Sequence, residues 1–151
     1  MSEFSVPEHL PDWISNHVRQ YLDSGGKEGH EWDSSALGGP GVLPCLLICT
    51  KGRKTGKATT LPLIYGETDS GYVIVASRGG SPEHPGWYLN LLANPEILIQ
   101  VGEERIAVKA RDTSDEERQT LWNQMVELYP PYVDYQNSTE RLIPVLVLER
   151  T

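Results

Sequence analysis

The sequence predicts a mainly β protein in which six antiparallel strands form a barrel flanked by helices. From Pro44 onward, short apolar runs alternate with turn signals such as GETDSG at 66–71. The connections suit hairpins, and strands do not alternate with long helices as they would in a parallel sheet. The predicted strands are 44–50, 59–65, 71–77, 96–101, 105–111 and 143–149.

Three segments have the apolar spacing of helices, and we predict helices at 7–22, 86–93 and 115–129. In the first segment, Pro11 stands where a helix can begin. In the third, Ser114 and Glu117 match a capping box, in which each side chain bonds the other residue's backbone N–H. Pro130 and Pro131 then end this helix, because proline cannot continue it.

The chain is expected to divide into an N-terminal segment, 1–43, and a barrel domain, 44–151. The N-terminal segment joins the amphipathic helix to a glycine-rich linker or loop at 23–41. The apolar stripe of the helix is expected to pack on the core. Docking on a membrane or a partner protein is the alternative, although the polar face lacks the Lys and Arg typical of interfacial helices.

Length and charge narrow the class of protein. A chain of 151 residues is long enough for one domain with a substantial core. A formal charge of −8 argues against a general nucleic-acid binder, which needs a broad basic surface. No run of 18 apolar residues and no signal-peptide pattern occur, so a cytoplasmic protein is expected.

Cys45 and Cys49 are predicted to be buried, unbridged thiols. They lie four residues apart on one predicted strand, hence about 13 Å apart at about 3.3 Å per residue. A disulfide needs Cα atoms within roughly 7 Å. The two cysteines therefore cannot bridge each other there.

A cationic turn stands out in this acidic chain. Lys51, Arg53, Lys54 and Lys57 give the segment 51–57 a charge of +4, so the rest of the chain carries −12. Glycines within this turn allow a close backbone approach, and Arg can grip a phosphate or carboxylate with two parallel hydrogen bonds. The pattern favours an anionic ligand, and a solvated hairpin tip is the alternative.

Further candidate residues stand at strand ends and helix starts. Ser77, Arg78 and Gly79 follow the predicted strand YVIVAS, and Arg78 offers a second cation to the same anion. Trp87 and Asn90 open the short helix at 86–93, where core packing is the alternative role for the ring. Hydrolase elbows, Walker lysines and the histidine or cysteine spacing of a metal site are absent, so no metal is predicted.

Three tyrosines recur in YPPYVDY, just after the third predicted helix. Tyr129, Tyr132 and Tyr135 are broken by two prolines, so they are not expected on a regular helix face. Their rings could wall a flat ligand and a phenol could donate a proton, or the rings could simply pack over the barrel. Arg141, before the last strand, is expected to bind an anion or to pair with a carboxylate.

Taken in order, these motifs resemble those of the deazaflavin-dependent nitroreductase family. The ordered set is TKGRKTG, PLIY, VIVASRGG, PGWYLNLLANP, ARD…EER, YPPYVDYQ and TERLIPVLVLE, covering roughly residues 44–150. The resemblance implies a split β-barrel like that of FMN-binding reductases. It also implies coenzyme F420, an 8-hydroxy-5-deazaflavin with a phosphate, a lactyl group and a glutamate tail. Hydride would pass from the reduced cofactor to a quinone, a nitroaromatic or another electron-poor acceptor.

The resemblance also assigns roles to individual residues. Cofactor contacts are expected at Arg53, Lys54, Thr55, Lys57, Pro62, Ser77, Arg78, Gly79, Trp87 and Asn90. Catalytic roles at the acceptor are expected for Ser77, Tyr129, Tyr132 and Tyr135. The chain departs from the family at Thr59, where relatives usually carry a basic residue, and Lys57 could substitute for it.

Other readings stay open at this point. FMN on the same barrel is one alternative, because both cofactors carry a phosphate. A non-catalytic F420 carrier is another, and a partner-binding barrel without a cofactor is a third. A nucleic-acid partner is not expected, the oligomeric state is either monomer or homodimer, and peripheral membrane contact through the N-terminal helix remains a hypothesis.

Overall fold

The structure, a computed structural model, describes residues 4–7 and 10–151. Within them, the helices are α1 (Asp12–Asp23), α2 (Gly86–Ala93), α3 (Asp115–Leu128) and α4 (Pro131–Asn137). The strands are β1 (Glu31–Asp33), β2 (Val42–Lys51), β3 (Ala58–Ile64), β4 (Gly66–Thr68), β5 (Gly71–Val75), β6 (Glu96–Val101), β7 (Glu104–Asp112) and β8 (Val145–Arg150). Short 3₁₀ turns occupy Ser35–Leu37 and Arg78–Gly80.

All strand pairs are antiparallel, in one curled sheet of order β1-β2-β6-β7-β8-β5-β4. Strand β3 pairs with β2 beyond the short contact with β1, and β3 also approaches β5, which curls the sheet toward a barrel. The predicted mainly β antiparallel fold with flanking helices is confirmed. Each of the six predicted strands has a counterpart, with ends shifted by a few residues.

Both faces of the central strands are buried, which explains their nearly continuous apolar sequences. In β2, Leu46 and Ile48 point into the curled sheet, while Leu47 packs beneath α1. In β5, Ile74 points inward and Val73 packs beneath α3 and α4. Fully burying one such side chain stabilises the fold by about 1.5–3 kcal/mol. Apolar burial beneath the helices therefore stabilises the outer face of the sheet, as it does the interior.

Helix α1 is fixed to the sheet by its apolar face and one hydroxyl. Val18 and Tyr21 are fully buried. The Tyr21 hydroxyl accepts a hydrogen bond from the Gly102 N–H at 2.7 Å and lies 3.0 Å from the Cys45 carbonyl oxygen. Burial raises the pKa of this phenol, so it stays protonated. The helix begins at Asp12 rather than at residue 7, and residues 8 and 9 of the predicted span lie outside the described part of the chain.

Several local predictions were wrong. The loop predicted at 23–41 contains β1, which exists because Glu31–Asp33 pair with residues 42–44 of β2. The turn predicted at 66–71 contains β4, paired with the start of β5. The YPPYVDY segment forms α4, because Pro131 occupies a first-turn position where the missing N–H costs nothing.

The capping box predicted for α3 is also not formed. Ser114 makes no side-chain capping bond. Glu117 instead receives two hydrogen bonds of 2.7 Å from Arg111 of β7, which is a stronger, bidentate partner. The predicted end of α3 before Pro130 is confirmed, with Leu128 as its last residue.

Both cysteines are buried and form no disulfide with each other, as predicted. No described helix is long and apolar enough to cross a bilayer.

Candidate functional site

A cavity of about 420 Å³ opens between α1 and the α3–α4 pair, with β3 as its floor. Its walls are mostly apolar and aromatic, as in small-molecule sites. Eight predicted site residues line it: Pro62, Ser77, Arg78, Gly79, Trp87, Tyr129, Tyr132 and Tyr135. The structure therefore brings both ends of the predicted site, the Ser77–Gly79 turn and the tyrosines, to one space.

The turn after β5 has the geometry of an anion-binding nest. Ser77 is right-handed (φ −79°, ψ −38°), whereas Arg78 has φ +46° and Gly79 has φ +61°. A right-handed residue followed by a left-handed one directs consecutive N–H groups toward one point. The Gly80 N–H bonds the Ser77 carbonyl at 2.9 Å, but the N–H groups of Arg78 and Gly79 have no acceptor among the described residues.

Gly80 is required by packing as well as by its backbone. Its φ is +83°, and a Cβ there would lie 2.7 Å from the Tyr135 carbonyl oxygen. The turn is thereby pressed against α4, the helix that carries Tyr132 and Tyr135. The Arg78 side chain is half exposed and lies 3.5 Å from a largely exposed Glu83 carboxylate. Exposed pairs of this kind are weak, so Arg78 remains available to an anion.

The cationic tip lies beside the cavity rather than in its wall. The hairpin turn is closed by the Gly52 N–H bonding the Lys57 carbonyl at 2.8 Å. Arg53 is held against α2: its Nη1 donates to Asn90 Oδ1 at 2.8 Å, and its backbone N–H donates to the same oxygen at 3.2 Å. Because α2 also carries the cavity residue Trp87, this contact fixes the tip next to the cavity.

The remaining cations of the tip project into solvent. Lys54 and Lys57 are exposed and pair with no carboxylate among the described residues. Thr55 Oγ1 accepts from the Lys57 N–H at 3.2 Å, which gives this threonine a role inside the turn. A cluster of unpaired cations on an acidic protein raises the local concentration of anions.

The three tyrosines form a compact cluster in the cavity wall, next to the Ser77–Gly80 turn. The Tyr129 and Tyr132 rings meet edge to face at 4.8 Å, and the Tyr129 and Tyr135 hydroxyls are 2.9 Å apart. Tyr129 and Tyr132 also pack into the apolar cluster beneath α3 and α4. The rings therefore pack in the core and also line the cavity. Contact with a ligand stays a prediction.

Tyr132 differs from its neighbours in its hydroxyl. The side chain is only 4% exposed, and its hydroxyl has no hydrogen-bond partner among residues 4–7 and 10–151. Burial raises the pKa of Tyr132 above the ordinary tyrosine value, and the nearby Tyr129 phenol adds to the effect. Burial likewise raises the pKa of Tyr129, with the Tyr135 hydrogen bond second. Both phenols therefore remain protonated at neutral pH.

The sequence prediction missed the N-terminal wall of the cavity. Trp13, His17 and Trp32 line it, and the Trp13 and Trp32 rings stack at 5.9 Å. His17 is buried and its Nε2 lies 2.7 Å from the Gly29 carbonyl oxygen. A tryptophan inside the polar stretch GHEWDSS was the available signal, because a large ring in a loop needs a surface to cover.

Among the described residues Arg141 pairs with no carboxylate, and the anion-binding alternative stays a prediction. Its guanidinium donates to the carbonyls of Ser77 at 2.7 Å, Ser81 at 2.8 Å and Ala76 at 3.2 Å. It also lies 3.1 Å from His84 Nδ1. Backbone carbonyls of the turn are nearer than any acid, so they take the donors.

Known proteins are similar to this chain in sequence and in fold. The family model of F420H(2)-dependent quinone reductases matches residues 13–150. A Mycobacterium tuberculosis (strain H37Rv) protein named F420H(2)-dependent quinone reductase Rv1261c is 38% identical over 150 residues, covering 91% of this chain and 96% of its own.

Two solved structures agree with that match. One, described as a domain-swapped dimer, is 39% identical with a TM-score of 0.68, covering 91% of this chain and 98% of its own. Another, an F420-H2 dependent reductase named FDR-A, is 45% identical with a TM-score of 0.65, covering 70% of this chain and 94% of its own.

Proposed function

Because the chain belongs to the F420H(2)-dependent quinone reductase family, we propose that it transfers a hydride from reduced F420 to a quinone. One observation carries the proposal beyond family membership. An apolar, aromatic cavity of about 420 Å³ has an anion-binding turn in its wall and a cationic tip beside it, on a protein of charge −8. A flat ring joined to an anionic chain is the kind of ligand that matches this arrangement.

The donor groups fit such a cofactor. The free N–H groups of Arg78 and Gly79 suit a phosphate, and the Arg78 side chain adds a positive charge. Arg53 and Lys54 at the tip suit the more distant carboxylates of the tail. Relatives usually carry a basic residue where this chain has Thr59. Lys57 supplies a positive charge on the same cationic surface instead. FMN has no polyanionic tail to engage this tip, so the tip favours F420 over the FMN alternative.

Asn90 supports this binding indirectly. Its side-chain oxygen holds Arg53 through two hydrogen bonds, so the guanidinium is placed before a ligand arrives. Such preorganisation lowers the entropic cost of binding. Pro62 and Trp87 line the cavity and supply rigid apolar surface against which a ring can pack.

When bound, reduced F420 would supply a hydride, and this chain's residues supply position and hydrogen-bond donors. The walls formed by Trp13, Trp32 and Trp87 hold a flat acceptor and exclude water from it. Negative charge then develops on an acceptor oxygen. The Tyr132 hydroxyl, which its raised pKa keeps protonated, donates a hydrogen bond that stabilises this charge, and the Ser77 side chain, which lines the same cavity, offers a second donor. The proton that completes the quinol comes from solvent.

Tyr129 and Tyr135 orient this donor rather than replace it. Their hydroxyls bond each other, and Tyr129 also lies 3.5 Å from the Leu37 carbonyl of the N-terminal segment. These contacts fix the two rings that flank Tyr132. The Tyr132 ring is thereby held in place in the cavity wall.

The experiment is steady-state oxidation of reduced F420 by menadione and by a nitroaromatic compound of similar size, with reduced FMN in parallel. Turnover with menadione that requires F420 supports the reductase. Tight F420 binding without oxidation by any quinone would indicate a carrier instead. Activity with the nitroaromatic would extend the acceptor range to the second class that the sequence predicted.

Two properties of the assembly belong to the same proposal. A homodimer is proposed because one solved structure, matched over 98% of its length at 39% identity, is described as a domain-swapped dimer. Peripheral membrane contact through α1 is proposed because the apolar side chains of Trp13 and Leu37 are about half exposed and both line the cavity. Light scattering tests the first, and co-sedimentation with phosphatidylglycerol vesicles, comparing wild type with Trp13→Ser, tests the second.

A further inference from the structure

A single guanidinium spans the turn that bears the free N–H groups. Arg141 donates to the carbonyls of Ala76 and Ser77 at the start of the turn and to that of Ser81 at its end. All three bonds are 3.2 Å or shorter and lie in a partly buried environment. The planar, five-donor fork of Arg can make such a set, whereas the compact ammonium of Lys cannot make it in the same geometry.

These bonds hold the backbone of the turn at both ends. Arg141 engages its carbonyls, whereas the N–H groups of Arg78 and Gly79, two residues that line the cavity, have no acceptor in the described chain. The φ of +46° at Arg78 is a strained conformation for a non-glycine residue. An external hold is therefore needed to keep the turn in it.

Arg141 is itself anchored, which makes it a rigid support. The Gln136 side chain of α4 donates to the Arg141 carbonyl at 2.8 Å and accepts from the Ile143 N–H at 3.0 Å. Through Gln136, the support of the turn is tied to the helix that carries Tyr132 and Tyr135. The anion-binding turn and the tyrosine wall thus share one frame.

The charge of Arg141 adds to this positional effect. Burial lowers the pKa of Arg141, and the nearby Arg78 lowers it further because the two cations lie close together at the turn. An anion bound at the N–H groups relieves that repulsion. The arrangement hence favours anion binding twice, by orientation of the N–H groups and by the local positive potential.

We propose that Arg141 is the positioning residue of the Ser77–Gly80 turn, holding its N–H groups toward the cavity so that they bind the phosphate of the cofactor. The inference rests on the proposed function for the identity of the ligand. Arg141 acts through the turn and does not contact the ligand. Its loss should weaken binding of the anionic part without changing the apolar cavity.

The experiment compares wild type with Arg141→Lys, Arg141→Ala and the control Arg19→Ala, an exposed arginine on α1 whose described partner is Asn16. F420 affinity is measured by fluorescence titration. Loss of the charged hydrogen bonds should weaken F420 binding about tenfold in Arg141→Lys and more in Arg141→Ala, with no change in the control. Millimolar guanidinium, but not sodium at equal ionic strength, should restore affinity to Arg141→Ala, which a general structural defect would not allow.

A second probe separates this inference from the proposed function. Inorganic phosphate is titrated while the amide shifts of Arg78 and Gly79 are followed by NMR. Saturable shifts in wild type that vanish in Arg141→Lys support the positioning role even if F420 does not bind, an outcome that would overturn the proposed function alone. Equal F420 affinity and equal amide shifts in wild type and Arg141→Lys would overturn the inference. If Arg141→Ala does not fold, the Arg141→Lys result decides.

Discussion

Replacing Tyr132 with phenylalanine should separate catalysis from stability. The Tyr132 ring is buried in the apolar cluster beneath α3 and α4, and phenylalanine preserves that packing. Its hydroxyl makes no hydrogen bond to any described residue, so the substitution breaks none. The one thing removed is the hydrogen-bond donor that lines the cavity. We therefore expect a loss of turnover with little change in folding.

The structure allows both effects to be sized. A positioned hydrogen-bond donor to a developing oxyanion contributes about 10²- to 10³-fold, and the Ser77 hydroxyl in the same cavity limits the loss in Tyr132→Phe to about 10²-fold. Tyr129→Phe is the matched comparison, because it breaks the 2.9 Å bond to Tyr135. That hydrogen bond is worth about 1 kcal/mol, or about 2–4 °C in melting temperature for a chain of this length. Tyr132→Phe should melt within about 2 °C of wild type.

The assay is single-turnover oxidation of the reduced complex by menadione, with F420 affinity and melting temperature measured on the same preparations. Cofactor affinity should stay within about twofold in Tyr132→Phe, so that the lost rate belongs to the chemical step. Turnover equal to wild type would remove Tyr132 from the mechanism. A large drop in melting temperature would show that its hydroxyl has a structural partner.

Three further predictions test binding, ionisation and packing. Arg53→Ala combined with Lys54→Ala should raise the F420 dissociation constant about 100-fold by fluorescence titration, since two charged contacts are lost, and equal affinity beside an Arg19→Ala control would refute this. Burial raises the pKa of the Cys45 thiol from 9.0 to about 12, so its contribution to stability is complete below pH 9 and is lost as pH rises toward 12. Cys45→Val should hence show a shallower fall of the urea midpoint across that window, and parallel curves would contradict it. The Thr50 hydroxyl is buried without a partner in the described chain, so Thr50→Val should raise the melting temperature by about 2–4 °C, whereas a decrease would reveal a missed hydrogen bond.

The barrel strands could be predicted because their signals are local. The β2–β3 hairpin follows from apolar runs on both sides of a glycine-bounded cationic turn, and the observed register from Cys45–Ile64 to Lys51–Ala58 agrees with it. The short strand β1 could not be predicted in this way. Its three residues become a strand only by pairing with the start of β2, which no local pattern reveals.

Helix α4 was missed for a different reason. Two adjacent prolines were read as an end to helical structure, which is right for α3 but wrong for the residues that follow. Proline is disfavoured inside a helix yet suited to its first turn, because the absent N–H would be unpaired there. The same residue type therefore gives opposite signals on its two sides.

Some of the predicted site residues lie together because neighbouring elements carry them. Ser77 and Tyr132 line one cavity although 55 residues separate them, as the resemblance implied, and their proposed roles toward a ligand stay predictions. The stack of Trp13 on Trp32 was not predicted, since it depends on how α1 docks. The role of Arg141 was also out of reach, because its partners are carbonyls about 60 residues away, which carry no side-chain signature.

The most direct test of the account is titration of the purified protein with F420 at low and high salt, with FMN in parallel. The cationic tip and the turn at Arg78 predict micromolar or tighter binding of F420, weakening steeply as salt screens the anionic tail, and weaker binding of FMN. Binding of FMN in preference to F420, or F420 affinity that does not respond to salt, would contradict the claim that this acidic barrel carries its cations to hold a deazaflavin tail.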